Sequence, residues 1–406
     1  METYSGNGFF SARLQGLKGS PMLALVAKTA ELKAQGRDLI GLAAGEPDFD
    51  TPEHIQEAAR AAMRAGATRY TAAEGAIPVR EAVLRKFKRE NGLNYALEEI
   101  IVSAGAKQVI YNALMATIDA GDEVIIPVPA YPTYGEVTTL CGGVPTYVMC
   151  TQERGFKIVP QQLADAITPR TKWLVLCSPS NPTGAAYTED ELRLLAQVLE
   201  KHPHVWVMTD DIYEHLLFNG ERFATMAAAA PHLQDRTLTV NGVSKAYCMT
   251  GWRIGYGGGP RSLIKSMITL QSQATSGPCS ISQMAALAAL DGPQDFLAKH
   301  QAIYRERRDR VVQALNAAEH ISCNLPDGAF YALASCRDAL GRITPDGYSI
   351  ESDTAFCSYL LDEAGVVVVP GSVFGMAGFF RVSYAADTAD LEHACQRINS
   401  ATSKLK

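Results

Sequence analysis

The sequence predicts an α/β protein with a large domain on a mostly parallel seven-stranded sheet and a smaller α+β domain. Three observations predict it. From about residue 100, short apolar runs alternate with stretches of helical spacing. Several of those runs are apolar on both alternating faces, as strands covered by helices on both sides must be. After about residue 290 this rhythm gives way to a long polar-faced helix and shorter mixed segments.

"EEIIVSAG" reads as the first strand of the sheet, and "AKQVIYNALMATIDAG" as a helix stopped by glycine. "DEVIIPVPAY", "GVPTYVMC", "TKWLVLCSPSN", "VWVMTDDIY", "RTLTVNGVSK" and "WRIGYGGGP" follow as strands, with the amphipathic helix "EDELRLLAQVLEKH" between two of them. The later part holds the helix "QDFLAKHQAIYRERRDRVVQALNAA", then "SCNLPDGAFYALASC", "DTAFCSYLLDEAG", "VVVVPGSVFG", "FFRVSYA" and a last helix "DTADLEHACQRINS". "DLIGLAAGEPDFDTP" reads as a connection between domains. The expected division is therefore residues 1–50 as part of the small domain, 51–292 as the large domain and 293–406 as the small domain proper.

Length and composition agree with two soluble domains: 406 residues, 47% hydrophobic and 20% charged. A net charge of −6 without a basic run argues against nucleic acid or an anionic membrane as partner. No apolar run approaches the ~20 residues that span a bilayer. The first residues lack the basic-then-apolar order of a signal peptide. Nine cysteines without C-x-x-C pairs point to reduced thiols and a cytoplasmic location, and nothing in the His and Cys spacing predicts a metal site.

Ligands of open α/β sheets bind beyond the carboxyl ends of the strands, so the loops there matter most. Gly105, Ala106 and Lys107 follow the first strand and open a helix whose free N–H groups suit a phosphate; taken alone, they are equally an ordinary turn. "PSNPTG" fixes a loop around Asn181, which is also what a plain turn looks like. Asp210 ends a strand that should be buried and needs a cationic or hydrogen-bonding partner; Tyr213 lies three residues on. Ser244, Lys245 and Arg253 follow "RTLTVNGV". The glycines after Arg253 break the dinucleotide pattern G-x-G-x-x-G at its last position. Together these loops supply an amine, a carboxylate, hydroxyls and phosphate donors. Pyridoxal 5′-phosphate has groups that use them all.

At this point the sequence resembles a class I aminotransferase of fold type I, close to the bacterial aspartate and aspartate/prephenate subgroup. The likeness is carried by "SPSNPTG", "DDIYEHL", "SKAYCMTGWRIGY" and "FFRVSYA" in that order, and it covers nearly the whole chain. It implies that Lys245 is the Schiff-base lysine and proton shuttle, and that Asp210 partners the pyridinium nitrogen. Tyr213 and Asn181 would serve the phenolic oxygen. Ser244 and Arg253 would hold the phosphate with Gly105, Ala106 and Lys107, and Tyr70 would reach the phosphate of a neighbouring subunit in a homodimer with shared active sites. Arg381 would grip the substrate α-carboxylate, with Gly45 opposite. An arginine between Phe380 and Val382 in a half-buried strand also needs an anion on physical grounds.

Two departures bear on specificity. Ala130-Tyr131 replaces a common Tyr-Trp pair, with Tyr131 where the ring-stacking aromatic belongs. In "GLKGSPMLA", Lys18 matches a lysine that the subgroup uses for acidic substrates, but Met22 replaces a threonine. The expected reaction is transfer of the amino group of an L-amino acid, aspartate first, to 2-oxoglutarate by a two-stage ping-pong cycle. The alternative donors are an aromatic amino acid or the prephenate couple. A nicotinamide oxidoreductase, a non-enzymatic regulator and a pyridoxal phosphate lyase are the competing classes.

Overall fold

The computed structural model describes residues 9–14, 17, 19 and 21–406. Its main sheet has seven strands in the spatial order Ile100–Ser103, Gly255–Gly258, Thr237–Gly242, Trp206–Asp210, Thr171–Cys177, Glu123–Val128 and Val144–Met149. Gly255–Gly258 runs antiparallel to both of its neighbours. The other pairs are parallel.

The doubly apolar strands sit where both faces are covered. Ile126, Val175, Met208 and Val240 join one core, whereas Ile125, Leu174, Leu176 and Val207 join the core on the opposite face. Val144–Met149 lies at the sheet edge, and Val144, Tyr147 and Met149 are exposed there. The helix Glu189–Leu199 starts at Thr188, whose hydroxyl accepts from the Glu191 amide while the Glu191 carboxylate accepts from the Thr188 amide. Its buried residues Leu192, Leu195, Ala196 and Leu199 follow the helical repeat onto the sheet.

The glycine run in "WRIGYGGGP" has a packing cause. A side chain at Gly255 would strike the backbone of Gly105 and Ala106, and one at Gly257 would come 2.8 Å from Val109 Cγ1. These glycines let the helix Ala106–Thr117 lie directly on the antiparallel strand.

A second, antiparallel sheet runs Val369–Pro370, Phe379–Ser383, Tyr331–Ser335 and Ser322–Cys323. The strand with Arg381 is buried throughout rather than half-buried: it lies between two strands of this sheet, contacts the helix Asp353–Tyr359, and is bonded by the Leu42 and Ala43 carbonyls. The short strand Ile40–Gly41 pairs in parallel with Val366–Val367, tying the two ends of the chain together. No helix among the described residues is long and apolar enough to cross a membrane.

Behind "DDIYEHL" lies a buried polar cluster that anchors this loop. Lys86 has no exposed surface and donates to Glu214 and to Asn91, the latter at 2.7 Å. Asn91 and Asn241 also donate to Glu214, at 2.7 and 2.8 Å. Glu90 lies 3.6 Å from Lys86 and takes a contact from His215 at 2.9 Å. Removing one member of such a pair strands the other charge in the core. Glu214→Ala is expected to cost about 3–5 kcal/mol of unfolding free energy, measured by denaturant titration. A loss below about 1 kcal/mol, the range of exposed pairs, would refute the anchoring role.

Candidate active site

The carboxyl ends of the central strands open onto a cavity of about 370 Å³. Gly45, Ala106, Lys107, Tyr131, Asn181, Asp210, Tyr213, Ser244, Lys245, Arg253 and Arg381 line it. Sequence reasoning thus brought together residues from seven segments spread over more than three hundred positions. Gly105 sits directly behind the wall at the helix start. Tyr70 is not part of this wall; it stands on the surface with 95% exposure. Lys18 lies outside the described residues.

Lys245 is half-buried and donates to the Gly45 carbonyl at 2.5 Å. Burial draws its ammonium down to about 8; Arg381 and Arg253 push the same way, against Glu46 and Asp210. Glu46 is itself tied by the Thr250 hydroxyl at 3.0 Å. An amine in this range is uncharged far more often at neutral pH than a surface lysine and is correspondingly nucleophilic.

Asp210 closes its strand as expected and is buried. One carboxylate oxygen, Oδ2, accepts from Tyr134 at 2.7 Å. The other, Oδ1, is buried and has no partner. Burial raises the Asp210 pKa, with the Tyr134 hydroxyl opposing. A buried carboxylate with one unpaired oxygen facing a cavity is built to meet a donor supplied by a ligand. Tyr213, also buried, has its hydroxyl 3.0 Å from that of Tyr331.

Arg253 adopts left-handed backbone, φ 57°, which turns its side chain back over the helix start. Its guanidinium donates to the Thr250 carbonyl at 2.9 Å and the Ala104 carbonyl at 3.4 Å. Gly105 has φ 87°, and a side chain there would strike the Arg253 guanidinium. Glycine is therefore required at this position for both backbone conformation and space. The helix beginning at Ala106 adds the amides of Ala106 and Lys107, the Gln108 amide being taken by the Gly105 carbonyl at 3.0 Å; Ser244 lines the same corner, and Lys107 lies 5.3 Å from the Tyr131 ring.

Arg381 is fully buried. It donates to Asn181 Oδ1 at 2.9 Å and to the Ala43 carbonyl at 2.7 Å, and its Nε has no partner. Its guanidinium carbon lies 4.4 Å from the Tyr331 ring and 5.0 Å from the Phe374 ring. Burial lowers its pKa. Among the described residues, no carboxylate oxygen lies within 4.0 Å of Lys245, Arg253 or Arg381.

Sequence reasoning missed Tyr134, Tyr331 and the Ala43 carbonyl. Tyr134 lies three residues after Tyr131, one helical turn on, and that spacing is its one signal. Tyr331 opens a strand read only as apolar, and its alternation with Leu333 does not separate a hydroxyl partner from a packed ring.

These features fit pyridoxal 5′-phosphate. The unpaired oxygen of Asp210 suits a ring N–H, the glycine-lined corner under Arg253 leaves room for a phosphate, and Lys245 offers an amine of suitable basicity. The uncharged amine is the reactive form, so modification of Lys245 by an amine-directed reagent should rise with pH through a midpoint near 8. Peptide mapping of the labelled cofactor-free chain reads this directly; a midpoint above about 10, as for a solvated lysine, would contradict the environment described.

Residues 37–398 match the family model of class I and II aminotransferases. The aspartate aminotransferase of Rhizobium meliloti (strain 1021) is 52% identical over 395 residues, covering 97% of this chain and 96% of the relative. The aspartate/prephenate aminotransferase of Cereibacter sphaeroides is 53% identical, covering 97% and 98%. The crystal structure of the Rhizobium meliloti aspartate aminotransferase superposes with a TM-score of 0.95 at 51% identity, over 98% of this chain and 99% of that one. The Thermus thermophilus aspartate aminotransferase with maleate gives 0.91 at 42% identity, over 97% and 99%. Aminotransferases of this type use pyridoxal phosphate, which agrees with the donor set in the cavity. The chain belongs to the class I and II aminotransferases, with the fold of the aspartate aminotransferases.

Proposed function

We propose that this enzyme takes the amino group of an L-amino acid, aspartate first, and passes it to 2-oxoglutarate in a ping-pong cycle. The observation that carries the reading is one cavity holding the Lys245 amine, an Asp210 oxygen without a partner and a buried Arg381 with a free Nε. Bound pyridoxal phosphate supplies an aldehyde for the amine and a ring that accepts electrons. Asp210 holds the ring nitrogen through Oδ1, while Tyr134 fixes its other oxygen. Tyr213 and Asn181 serve the phenolic oxygen. Arg253, Ser244 and the amides of Ala106 and Lys107 would hold the phosphate, with Gly105, whose own amide donates to the Ser103 carbonyl at 2.8 Å, turning the chain beneath it, and Tyr131 would cover the ring. Arg381 receives the substrate carboxylate, because its fork matches two oxygens and its charge has no internal partner. Gly45 supplies backbone opposite. The Lys245 amine would move the proton at the substrate Cα, and its lowered basicity suits it to both take and return that proton.

A second donor class has its own support. Met22, Val26, Ile110 and Tyr131 give the cavity an apolar wall, which favours an aromatic or prephenate-type side chain. Lys18 remains a proposed contact for an acidic substrate. The exposure of Tyr70 supports its reaching a second subunit, so we propose a homodimer with shared sites, located in the cytoplasm. The pairing of Ile40–Gly41 with Val366–Val367 supports residues 1–50 and 293–406 as one small domain beside 51–292.

Borohydride reduction of the holoenzyme should leave a pyridoxyl group on Lys245, and Lys245→Ala should lose turnover; near-normal rates in that variant would end the assignment. Arg381→Lys keeps the charge but loses the fork. It should raise KM for every carboxylic substrate by about 10- to 150-fold, the equivalent of one hydrogen bond to a charged group. A kcat/KM ranking of amino donors against 2-oxoglutarate decides between aspartate and the aromatic class. Mixing Tyr70→Ala with Lys245→Ala chains should restore more activity than either has alone if the site is shared between subunits.

A further inference from the structure

Tyr331 is fully buried at the start of its strand, next to the strand that carries Arg381. It touches three parts of the site at once. Its hydroxyl lies 3.0 Å from the Tyr213 hydroxyl. Its ring lies 4.4 Å from the Arg381 guanidinium carbon. A side chain on Gly45, whose carbonyl receives Lys245, would come 3.1 Å from the Tyr331 oxygen. The two tyrosine rings meet edge to face, with centroids 5.8 Å apart and planes at 79°, so neither hydroxyl can swing away without unpacking a ring.

Two hydroxyls sharing one hydrogen bond use one proton between them. The other proton has to point elsewhere, and which phenol keeps it decides what faces the cavity. The phenol nearer a positive charge is the better donor. Tyr331 lies against the Arg381 guanidinium, which holds its pKa to about 12 against the effect of burial. Arg381 and the Lys245 amine also act on Tyr213, but its ring has no guanidinium packed against it as Tyr331 has, and burial pushes it well above its ordinary value. Tyr331 is therefore the donor within the pair and Tyr213 the acceptor. The groups that face the pair are Arg381, Tyr131 and Cys177 around Tyr331, with Asp210, Cys177, Arg381 and Lys245 around Tyr213. The Lys245 ammonium lies 5.8 Å from the Tyr213 ring.

We propose that Tyr331 is a positioning residue: its hydroxyl donates to the Tyr213 oxygen, so the Tyr213 proton points into the cavity at the phenolic oxygen of the cofactor. This rests on the reading of Tyr213 as partner of that oxygen. A donor strengthened in this way draws negative charge from the phenolic oxygen. The nitrogen shared by Lys245 and the cofactor then gives up its proton at lower pH. Arg381 sits over the same ring, so the carboxylate pocket and the phenolic-oxygen pocket share one aromatic wall.

Tyr331→Phe removes the hydroxyl and keeps the ring over Arg381. The readout is the visible absorbance of the holoenzyme titrated with pH, alone and in a Tyr213→Phe background. In the native background the midpoint should rise by about half a unit to one unit, the worth of one neutral hydrogen bond. In the Tyr213→Phe background the same replacement should move it no further. KM for the amino donor should change less than kcat, because the ring under Arg381 remains. No shift in Tyr331→Phe overturns the proposal, and so does a shift of equal size in both backgrounds, which would mean that Tyr331 acts without Tyr213. If Tyr213→Phe itself leaves the midpoint unmoved, the role of Tyr213 falls together with this inference; if it shifts and Tyr331→Phe does not, only this inference falls. A ring-fluorinated tyrosine at position 331, nearly the same size and a stronger donor, should lower the midpoint and keeps the test open should the phenylalanine chain fail to fold. A rise or no change with it overturns the proposal.

Discussion

Lys245, Arg253 and Arg381 face one cavity, and among the described residues no carboxylate oxygen lies within 4.0 Å of any of them. Gathering like charges in a poorly hydrated space is unfavourable, and an ordinary core would avoid it. The chain solvates these cations with neutral dipoles instead. The carbonyls of Gly45, Thr250, Ala104 and Ala43 and the amide oxygen of Asn181 accept their hydrogen bonds. The faces of Tyr331 and Phe374 cover the most buried one. Such partners orient a cation and leave its charge available, so the full electrostatic gain is reserved for anions that arrive from outside.

The rest of the architecture serves that arrangement. The parallel strands deliver Asn181, Asp210 and Ser244 to one edge, each from the end of a different strand. The antiparallel strand Gly255–Gly258 contributes in another way. Bare of side chains at Gly255 and Gly257, it lets the helix Ala106–Thr117 approach until backbone meets backbone. Lys86 and its ring of acceptors hold the loop after Asp210 from behind, so the carboxylate and Tyr213 are presented by a braced turn rather than a loose one.

Much of this was legible in the residues. Seven apolar runs became the seven strands, since a strand buried on both faces has few ways to be written. Asp210 and Arg381 stood out because a charge inside an apolar strand demands a reason. What remained hidden was polar but uncharged. Tyr134 and Tyr331 look in sequence like any packed aromatic, and only the folded chain shows their hydroxyls aimed at Asp210 and Tyr213. The Arg381 strand proved more deeply buried than its alternation suggested, because it lies between two strands and is bonded by carbonyls far away in the chain. The meaning of "GYGGG" was also beyond reach: spacing could reject a dinucleotide loop, but it could not reveal which helix needed the room.

The short parallel pairing of Ile40–Gly41 with Val366–Val367 has a temporal meaning. The carbonyl of Ala43 precedes the guanidinium it orients, on Arg381, by 338 residues. A nascent polypeptide still held by the ribosome can complete its seven-stranded sheet, yet it has no finished carboxylate pocket. The surroundings of Arg381 are complete only once its strand has met the much earlier segment that carries Ala43.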